Sequence, residues 1–469
     1  METEWISSKD GVVKLETGFQ KMPWSEPKEL FKNMRDQPGL IWLDSGMDHK
    51  GRGKWSYIMF NPYKVIHGSN NRYTVKENGN VTSTDHDPFD LIKLCMAKLK
   101  AEENTYSIPF TGGICGFFGY ELLIHCEPST RLVSQDSSEE GHLWVGFYHS
   151  VFAFNHQSKE VYLIANGPVD KIVTKKLREM KNAFSLVKTD SGFHLPTLTP
   201  KSNFTKEEYI NAVEYIRQYI AEGDCYQVNL SQRFELENSF DPIEMYLRLR
   251  SISPAPFGAY MNTDQCQILS TSPERFLNLH KGRAQTCPIK GTRPRGKNNI
   301  SDNMLLMELQ QSAKDRAENV MIVDLLRNDL SKVCMPSSVV VTNLCKLESF
   351  PTVHHLVSTI EGELREGYQA TDLLKSAFPG GSVTGAPKIR AMEIINEIEP
   401  HPRGVYCGAV GYIGYNSTMD TNIVIRTMVR TEQMAKFHVG GGVTYLSNPE
   451  DEYMETLDKA HALMKAIKG

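Results

Sequence analysis

The segment TKEEYINAVEYIRQYIAEGDCYQVNLSQRFEL, residues 205–236, joins a predicted helix to a predicted strand. Thr205 and Glu208 have the spacing of a capping box, and apolar residues then recur at the helical period. Residues 226–234 alternate instead between apolar and polar positions, which is typical of a half-buried strand. The change of pattern within one short stretch predicts a fold that mixes helices and strands.

The rest of the chain continues this mixed pattern on both sides of that segment. Downstream, strands are predicted at 258–262, 267–273, 405–416, 421–430 and 436–445, and helices at 301–329, 371–377, 386–397 and 449–467. Upstream, short strands and turns accompany a helix at 88–103, a hairpin within 142–167 and a helix at 168–187. A Thr-, Pro- and Ser-rich link near 189–205 predicts a boundary between an N-terminal region, 1–195, and a C-terminal region, 203–467.

Composition excludes several classes of protein. The 469 residues are 40% hydrophobic, which is enough for a sizeable core, and the net charge of -4 with a pI near 6.4 gives no global attraction for nucleic acid. The chain shows no signal-peptide pattern and no run of about 18 apolar residues, so a cytosolic protein is expected. Nine scattered cysteines without a CxxC pair argue against a disulfide framework or a zinc site.

Two predicted helices each carry a pair of carboxylates. Asp315 and Glu318 lie three residues apart, as do Glu452 and Glu455, and this spacing places both members of a pair on one helix face. Either pair alone is more often a solvated helix face. If the two helices meet, however, the carboxylates together with substrate oxygens and waters suit Mg²⁺, which prefers octahedral oxygen ligation.

Two glycine-rich stretches could receive an anion. FPGGSVTGAPK, residues 378–388, leads into a helix, whose N-terminal amides attract negative charge. The stretch differs from a P-loop because Ala386 and Pro387 separate the last glycine from Lys388, so a carboxylate is expected rather than a nucleotide. Gly440 to Gly442 either allow close approach of a ligand or form a plain turn. GGICGFFGYE, residues 112–121, fails the GxCxG pattern of a cysteine nucleophile.

These motifs, in this order, resemble the chorismate-utilising enzymes, which include anthranilate, aminodeoxychorismate, isochorismate and salicylate synthases. The matching stretches are CYQVNLSQRF (225–234), SPERF (272–276), PIKGTRPRG (288–296), KDRAENVMIVDLLRNDL (314–330), VHHLVSTIEG (353–362), PGGSVTGAPK (379–388), GAVGYIGY (408–415), IVIRT (423–427) and GGGVTYLSNPEDEYMET (440–456). They span nearly the whole chain after residue 203.

The resemblance implies an α+β fold of the anthranilate synthase component I type, with two antiparallel sheets packed against each other and helices outside. It implies an Mg²⁺ site in which Glu318 and Glu455 bind the ion directly, while Asp315 and Glu452 hold metal-bound waters. The ion would contact the ring carboxylate of chorismate.

The resemblance also implies the remaining site residues. Arg426 and Tyr412 match the pair that holds the enolpyruvyl carboxylate, and Glu274 matches the acid that protonates the leaving hydroxyl at ring carbon 4. His355 matches an active-site histidine. Further substrate contacts are expected from the glycine stretches and one threonine: Gly381, Ser382, Thr384, Gly385, Gly440, Gly441, Gly442 and Thr292. From sequence alone, Glu274 could instead form a salt bridge with Arg275.

Two positions distinguish members of the family. Isochorismate and salicylate synthases carry a water-activating lysine where this chain has Gln227, so ammonia is the expected nucleophile. Anthranilate synthases read PIAGT where this chain reads PIKGT, and the lysine, Lys290, resembles the aminodeoxychorismate synthases, in which it attacks ring carbon 2. The basic neighbours Arg293, Arg295 and Lys297 are expected to be solvated. The implied activity is amination of chorismate, an amino transfer, and the alternative is anthranilate synthase.

The resemblance further implies partners and a second pocket. Ammonia would come from a separate glutamine amidotransferase subunit, because this chain lacks the GxCxG stretch of a glutaminase. Ser45, Pro256 and Phe257 match a tryptophan pocket, although Asp44 and Gly46 depart from the pattern that accompanies feedback control. A non-catalytic chorismate-binding subunit is the alternative class, but no expected catalytic position is lost. Asn319 also departs from the histidine that commonly follows the metal glutamate.

Overall fold

The positions of strands and helices follow from a computed structural model of the chain. It describes residues 12–47, 52–102, 104, 106–131, 139–185, 197–350 and 353–468. The strands are β1 (Val13–Met22), β2 (Ile41–Asp44), β3 (Trp55–Met59), β4 (Lys64–Ser69), β5 (Arg72–Glu77), β6 (Asn80–Thr84), β7 (Leu99–Ala101), β8 (Gly113–Phe118), β9 (Leu143–Tyr148), β10 (Ser150–Asn155), β11 (Glu160–Gly167), β12 (Lys201–Ser202), β13 (Gln227–Leu236), β14 (Phe257–Asn262), β15 (Gln267–Ser272), β16 (Arg275–His280), β17 (Arg283–Thr286), β18 (Ile289–Pro294), β19 (Val340–Ser349), β20 (Val353–Glu363), β21 (Gly385–Ala386), β22 (Ala409–Gly414), β23 (Met419–Ile423), β24 (Thr427–Arg430) and β25 (Ala435–Val443).

Helices cover the outer faces of the molecule. They are α1 (Pro27–Asn33), α2 (Pro88–Ala97), α3 (Leu123–Cys126), α4 (Asp170–Phe184), α5 (Lys206–Glu222), α6 (Pro242–Ile252), α7 (Asn299–Gln311), α8 (Ala313–Ser331), α9 (Ala370–Ala377), α10 (Lys388–Ile398) and α11 (Pro449–Lys468). No helix within the described ranges is long and apolar enough to cross a membrane.

The described strands form two large sheets. The first, 13-stranded, has the order β12-β13-β25-β24-β15-β14-β2-β3-β10-β11-β1-β7, with β21 beside β13. The second, 12-stranded, has the order β18-β20-β17-β16-β23-β22-β8-β9-β4-β5-β6, with β19 beside β20. Neighbouring strands pair antiparallel, whereas β1 and β7 pair parallel. Both sheets draw strands from both predicted regions of the chain.

The hydrophobic core has three main layers. A central cluster joins the facing sides of the two sheets and includes Ile41 and Val151 from the first sheet and Cys115 and Val410 from the second. A second cluster packs the outer face of the first sheet against α1, α4, α6 and α11. A third packs the second sheet against α2, α8 and α9. The expected α+β fold, with two packed sheets and helices outside, is therefore confirmed.

Several local predictions are confirmed and three are corrected. Thr205 and Glu208 form the predicted capping box of α5, and β10 and β11 form the predicted hairpin. The single helix predicted at 301–329 is wrong, because the chain breaks into α7 and α8 at Ser312, whose hydroxyl accepts a hydrogen bond from the Asp315 amide. The helix predicted at 88–103 ends earlier, and β7 follows it. The single strand predicted at 421–430 is wrong, because the chain forms β23 in the second sheet and β24 in the first. The boundary near 189–205 stays a prediction, and residues 186–196 lie outside the described residues.

Candidate active site

Lys290 and Glu274 meet at the glycine-rich loop between α9 and α10. Lys290 Nζ donates a hydrogen bond to the Ser382 carbonyl over 3.1 Å, and the Ser382 hydroxyl lies close enough to the Glu274 carboxyl to oppose the rise of its pKa. Glu274 is 6% exposed. Lys290 lies on β18, while Glu274 directly precedes β16. The structure therefore brings the two predicted catalytic groups together and adds Ser382 as their common neighbour.

The irregularity of β18 next to Lys290 depends on the glycine that follows this lysine. Gly291 has a φ of 77°, a conformation that side chains other than glycine's rarely adopt. A Cβ there would lie 2.9 Å from a Leu309 methyl and 3.0 Å from Asp315 Cβ. The pairing of β18 with β20 shifts between Lys290 and Thr292 at this point. The PIKGT sequence thus allows β18 to pass close to α7 and α8.

Burial acts on the lysine and the glutamate in opposite directions, because it disfavours the charged form of each. It lowers the pKa of Lys290 from its ordinary 10.5, against the opposing effect of the carboxylates of Glu318 and Glu274. It raises the pKa of Glu274 from its ordinary 4.5, while the Ser382 hydroxyl and the Lys290 charge work against that rise. Both shifts favour the neutral amine and the neutral acid.

The two predicted carboxylate pairs face one another across the space between α8, α11 and Lys290 of β18, which is the active-site cleft. Asp315 and Glu318 lie on α8, and Glu452 and Glu455 lie on α11. Burial raises the pKa of Glu318, and the charges of Asp315 and Glu455 add to this rise. Burial also raises the pKa of Glu452, again with a contribution from Glu455. Such mutual repulsion is typical of carboxylates that share a space with a bound cation.

Sequence reasoning missed most of the cations that balance these carboxylates. Lys459 Nζ lies 2.6 Å from Glu455 and donates to the Gly440 carbonyl over 2.8 Å. The spacing from Glu455 to Lys459 is a helical i,i+4 pair, so the signal was present in the sequence. Lys459 and Lys314 outweigh the effect of burial and hold the pKa of Glu455 below its ordinary value.

The remaining carboxylates also face cations. Lys314 Nζ lies 3.8 Å from Glu452, whose carboxylate also accepts from the Ser447 hydroxyl over 2.6 Å. Arg293 lies 3.2 Å from Asp315. The expectation that Arg293 is a merely solvated charge is therefore wrong, since β18 places its guanidinium between α7 and α8.

The donor set suits a hard divalent cation without forming a closed cage. Within the described residues, no group of three or more His, Cys, Asp or Glu side chains is arranged to hold a metal ion. The facing pairs nevertheless consist of carboxylate oxygens, the ligands that Mg²⁺ prefers. An ion that takes part of its shell from substrate and water needs only one or two protein carboxylates, so these residues fit Mg²⁺.

The three glycines at 440–442 lie at the end of β25 rather than in a turn. Gly442 pairs with Asn229 of β13, and a Cβ at Gly442 would lie 2.0 Å from Gln227 Nε2. A Cβ at Gly441 would lie 3.1 Å from Glu452 and 3.5 Å from Glu455. The missing side chains therefore leave space in the cleft beside Glu452, Glu455 and Gln227.

Gln227 is 2% exposed, and within the described residues neither the nitrogen nor the oxygen of its amide has a hydrogen-bond partner.

Buried side chains hold the glycine-rich loop in place. Lys388 Nζ binds Asp329 over 2.6 Å and the Ala377 carbonyl over 3.0 Å, so this lysine is engaged in a structural contact rather than in an anion site. The Thr384 hydroxyl donates to the Gly380 carbonyl over 3.1 Å. Gly385, the first residue of β21, has a φ of 153°, and a Cβ there would lie 2.1 Å from the Gln227 carbonyl. Gly381 opens the short turn that carries Ser382.

Arg426 faces the cleft, but Tyr412 does not accompany it. Burial lowers the pKa of Arg426, and the opposing influences come from Tyr406 and Glu455. Tyr412 instead stacks on Phe110 at 4.4 Å between ring centroids and lines a separate cavity. The prediction that pairs Tyr412 with Arg426 is therefore wrong. Tyr406 is the tyrosine that the structure places near this arginine.

His355 and Thr292 occupy neighbouring strands beside Lys290. His355 Nδ1 and the Thr292 hydroxyl lie 2.9 Å apart, and the two residues are register partners of β20 and β18. Asn319 on α8 is buried, donates to the Leu356 carbonyl over 3.2 Å and accepts from the Ser358 hydroxyl. The amide of Asn319 thus fastens the strand that carries His355 to the helix that carries Glu318.

A cavity of about 310 Å³ lies on the other side of β16 from Glu274. Its lining includes the predicted pocket residues Ser45, Pro256 and Phe257. The neighbour of Glu274 along the chain, Arg275, contacts this cavity and forms two hydrogen bonds with Asp420 over 2.9 Å and 2.8 Å. The alternative of a Glu274 salt bridge to Arg275 is therefore wrong, because the Arg275 guanidinium pairs with Asp420 instead.

Comparison with known proteins agrees with the pattern of motifs. A family model described as chorismate binding enzyme matches residues 42–465. Aminodeoxychorismate synthase component 1 of Escherichia coli strain K12 is 38% identical over 440 residues, covering 93% of this chain and 95% of that protein. Anthranilate synthase component 1 of Acetivibrio thermocellus is 35% identical over 460 residues, covering 94% and 92%.

A solved structure has the same architecture. Anthranilate synthase component I from Streptococcus pneumoniae TIGR4 superposes with a TM-score of 0.79 at 30% identity, covering 89% of this chain and 94% of that one. Relatives of two activities therefore share this fold, so overall similarity leaves the choice of product to individual residues.

Proposed function

The chain belongs to the chorismate binding enzymes, and we propose that it aminates chorismate to 4-amino-4-deoxychorismate as the component I of an aminodeoxychorismate synthase. The observation that carries the proposal is the amine of Lys290, which lies in the cleft beside Glu274 and the Ser382 carbonyl. A merely solvated lysine would extend into water. The relatives named aminodeoxychorismate synthase support the same assignment.

Lys290 acts as the nucleophile. Its amine must be neutral to attack, and burial supports this state by lowering its pKa. The nitrogen lone pair forms a bond to ring carbon 2, both ring double bonds shift by one position, and the bond from carbon 4 to its hydroxyl oxygen breaks. The substrate is then held covalently on the lysine nitrogen.

Glu274 acts as the general acid for the same step. Its carboxyl gives a proton to the leaving hydroxyl, which departs as water, and the raised pKa keeps this proton available. Ammonia then adds at carbon 4, both ring double bonds shift back, and the Lys290 amine leaves carbon 2. The new ammonium group returns one proton to Glu274, so lysine and acid regain their starting states.

Mg²⁺ is proposed as the cofactor, held by Glu318 and Glu455, with Asp315 and Glu452 binding its waters. When bound, it would neutralise the ring carboxylate of chorismate. Thermal melting with and without Mg²⁺ tests this assignment apart from activity: Mg²⁺ should raise the melting temperature of the wild type more than that of Glu318→Gln. Equal shifts in both proteins would contradict the assignment.

The other substrate carboxylate is assigned to Arg426 and Tyr406, because a guanidinium can bind a carboxylate through two parallel hydrogen bonds. Backbone amides of the glycine-rich loop and of Gly440 to Gly442 line the same space. His355, held by Thr292, is proposed to position the substrate beside Lys290.

Ammonia rather than water is the proposed second substrate. Gln227 lies where related water-adding enzymes have a lysine, and an amide cannot act as a base. Its buried, unpartnered amide offers a hydrogen-bonding position for an incoming polar group. A glutamine amidotransferase subunit is the proposed source of ammonia, and ammonium salt at high concentration should replace it.

One assay tests the proposed function. The purified chain is incubated with chorismate, Mg²⁺ and ammonium, and the product is converted with the matching lyase. Para-aminobenzoate is the expected end product. Fluorescent anthranilate as the main product, made without the lyase, would overturn the proposal in favour of anthranilate synthase.

The second cavity is proposed to bind tryptophan. Its volume of about 310 Å³ accommodates an indole, and Pro256 and Phe257 give it an apolar wall beside the Ser45 hydroxyl. Isothermal titration with tryptophan should show binding that Phe257→Ala weakens. Absence of heat with the wild-type protein would reject this assignment.

A further inference from the structure

The loop at residues 381–383 sets the geometry of both catalytic groups. Its residue Ser382 accepts a hydrogen bond from the Lys290 amine through the carbonyl, and the Ser382 hydroxyl lies beside the Glu274 carboxyl. Gly381, Ser382 and Val383 form a single short turn, so a shift of the turn moves both contacts at once. Whatever anchors this turn therefore controls the relative position of Lys290 and Glu274.

Arg403 anchors the turn through the Val383 carbonyl. Its guanidinium, 2% exposed, donates to the Val383 carbonyl over 2.8 Å and to the Asn229 carbonyl over 2.8 Å. It also binds both oxygens of Glu399 over 2.8 Å and 2.7 Å. Arg403 thus connects the turn to β13, and the Glu399 carboxylate balances the charge of its guanidinium.

The partner carboxylate is itself fixed to the same strand. Glu399 accepts hydrogen bonds from the Ser231 amide over 2.8 Å and from the Ser231 hydroxyl over 2.9 Å. The guanidinium further lies 4.8 Å from the ring centroid of Tyr120 and 5.7 Å from that of Tyr406. A planar group with several fixed donors can satisfy these partners together, whereas a lysine ammonium cannot.

We propose that Arg403 is a positioning residue, which holds the Val383 carbonyl and thereby keeps Ser382 in contact with Lys290 and Glu274. The proposal rests on the amination of chorismate proposed above. Arg403 does not touch the substrate. It acts through the turn, and loss of its contacts lets nucleophile and acid separate without removing either group.

A double-mutant cycle tests this route, with kcat/KM for ammonium-dependent amination as the readout. Ser382→Ala and Arg403→Lys should each lower kcat/KM by about 10- to 100-fold, since small displacements of reacting groups have effects of this size. If Arg403 acts through Ser382, the double variant should fall short of the product of the two losses by more than about threefold. A loss within about threefold of that product would overturn the proposal.

Two further variants keep the result interpretable. Ser382→Thr retains the hydroxyl and should recover most of the activity lost in Ser382→Ala; equal loss in both would overturn the proposal. If Arg403→Lys does not fold, Glu399→Gln takes its place in the cycle, because it removes the carboxylate that orients the guanidinium.

A matched control separates positioning from general destabilisation. Lys64 is a buried cation of β4, 7% exposed and 3.3 Å from Glu77, in the N-terminal part of the chain. Lys64→Gln should lower the melting temperature while leaving kcat/KM unchanged. A fall in its kcat/KM as large as that of Arg403→Lys would overturn the proposal. An inactive wild-type protein would instead reject the proposed function itself.

Discussion

Two neighbouring clefts hold their carboxylates in different ways. In the second cavity, Asp44 accepts hydrogen bonds from Arg250 and Tyr246, and Asp420 is bound by both arms of Arg275. In the active-site cleft, the carboxylates of α8 and α11 mostly face lysines, at distances between 2.6 Å and 3.8 Å. Each of these arginines binds both oxygens of its carboxylate through two guanidinium nitrogens, whereas each lysine contacts its carboxylate through a single ammonium group.

This difference matters because a bound metal ion or substrate must displace the cations that pair with the carboxylates in its absence. A two-armed arginine pair has fixed geometry and gives the cavity a permanent wall. A lysine ammonium is a point charge on a flexible stem and can move aside when a metal ion and an anionic substrate arrive. Glu274 and Arg275, adjacent in sequence, separate the two kinds of cleft. We therefore expect substitutions on the two sides of this strand to differ sharply in effect.

The largest effect is expected at Lys290. Lys290→Ala removes the nucleophile and should lower kcat/KM for amination by at least about 10³-fold with little change in stability. Lys297→Ala is the matched control, because Lys297 is exposed in the same basic segment, and it should retain wild-type activity. Steady-state kinetics with ammonium provides the measurement. Comparable losses of kcat/KM in the two variants would contradict the role of Lys290 as the nucleophile.

Glu274→Gln should have the next largest effect, about 10²- to 10⁴-fold in kcat/KM, because the amide cannot give up a proton. Wild-type activity should fall as the pH rises and Glu274 loses its proton, at a higher pH than for an exposed glutamate, since burial raises its pKa. In Glu274→Gln this alkaline decline should be absent. A pH profile of the two proteins measures the difference, and an unchanged decline would assign the acid to another group.

A smaller effect should distinguish the two tyrosines. Tyr406→Phe removes a phenol near Arg426 and should raise KM for chorismate by about tenfold, as expected for a hydrogen bond to a charged group. Tyr412→Phe alters the second cavity and should leave KM unchanged. If the effects are reversed, the original pairing of Tyr412 with Arg426 is restored.

The smallest effect on catalysis is expected at Asp44. Asp44→Asn weakens the contacts with Arg250 and Tyr246 and should reduce the free energy of unfolding by about 1 to 3 kcal/mol. Its kcat/KM should stay within about twofold of the wild type. Urea unfolding and steady-state kinetics on the same preparation measure both values. A large catalytic loss would show that the two clefts are not independent.

The sequence predicted most of the catalytic cleft because its chemistry lies in contiguous motifs. The two carboxylate pairs were located by residue type and spacing, Lys290 and Glu274 by the motifs that resemble the family, and the structure brings them together. Gly291 was part of the PIKGT motif, although the close approach of α8 that requires a glycine became evident only in the structure.

The errors arise partly from long-range packing and partly from local capping. Strand alternation indicates that a tyrosine lies on one face of β22, but only the stacking of the two sheets decides which cleft that face meets. Arg403 gave no signal because its partners come from separate segments, Val383 and Asn229. The break at Ser312 was missed because helical periodicity continues across it while the hydroxyl caps a new helix.

Covalent attachment of the substrate to Lys290 is the central claim, and intact-protein mass spectrometry tests it most directly. The wild-type chain is mixed with chorismate and Mg²⁺ in the absence of ammonium and quenched in acid. The account predicts a mass increase equal to chorismate less one water, located at Lys290 by peptide mapping and absent from Lys290→Ala. A wild-type protein that turns over chorismate with ammonium but never gains this mass, or gains it equally in Lys290→Ala, would contradict the account.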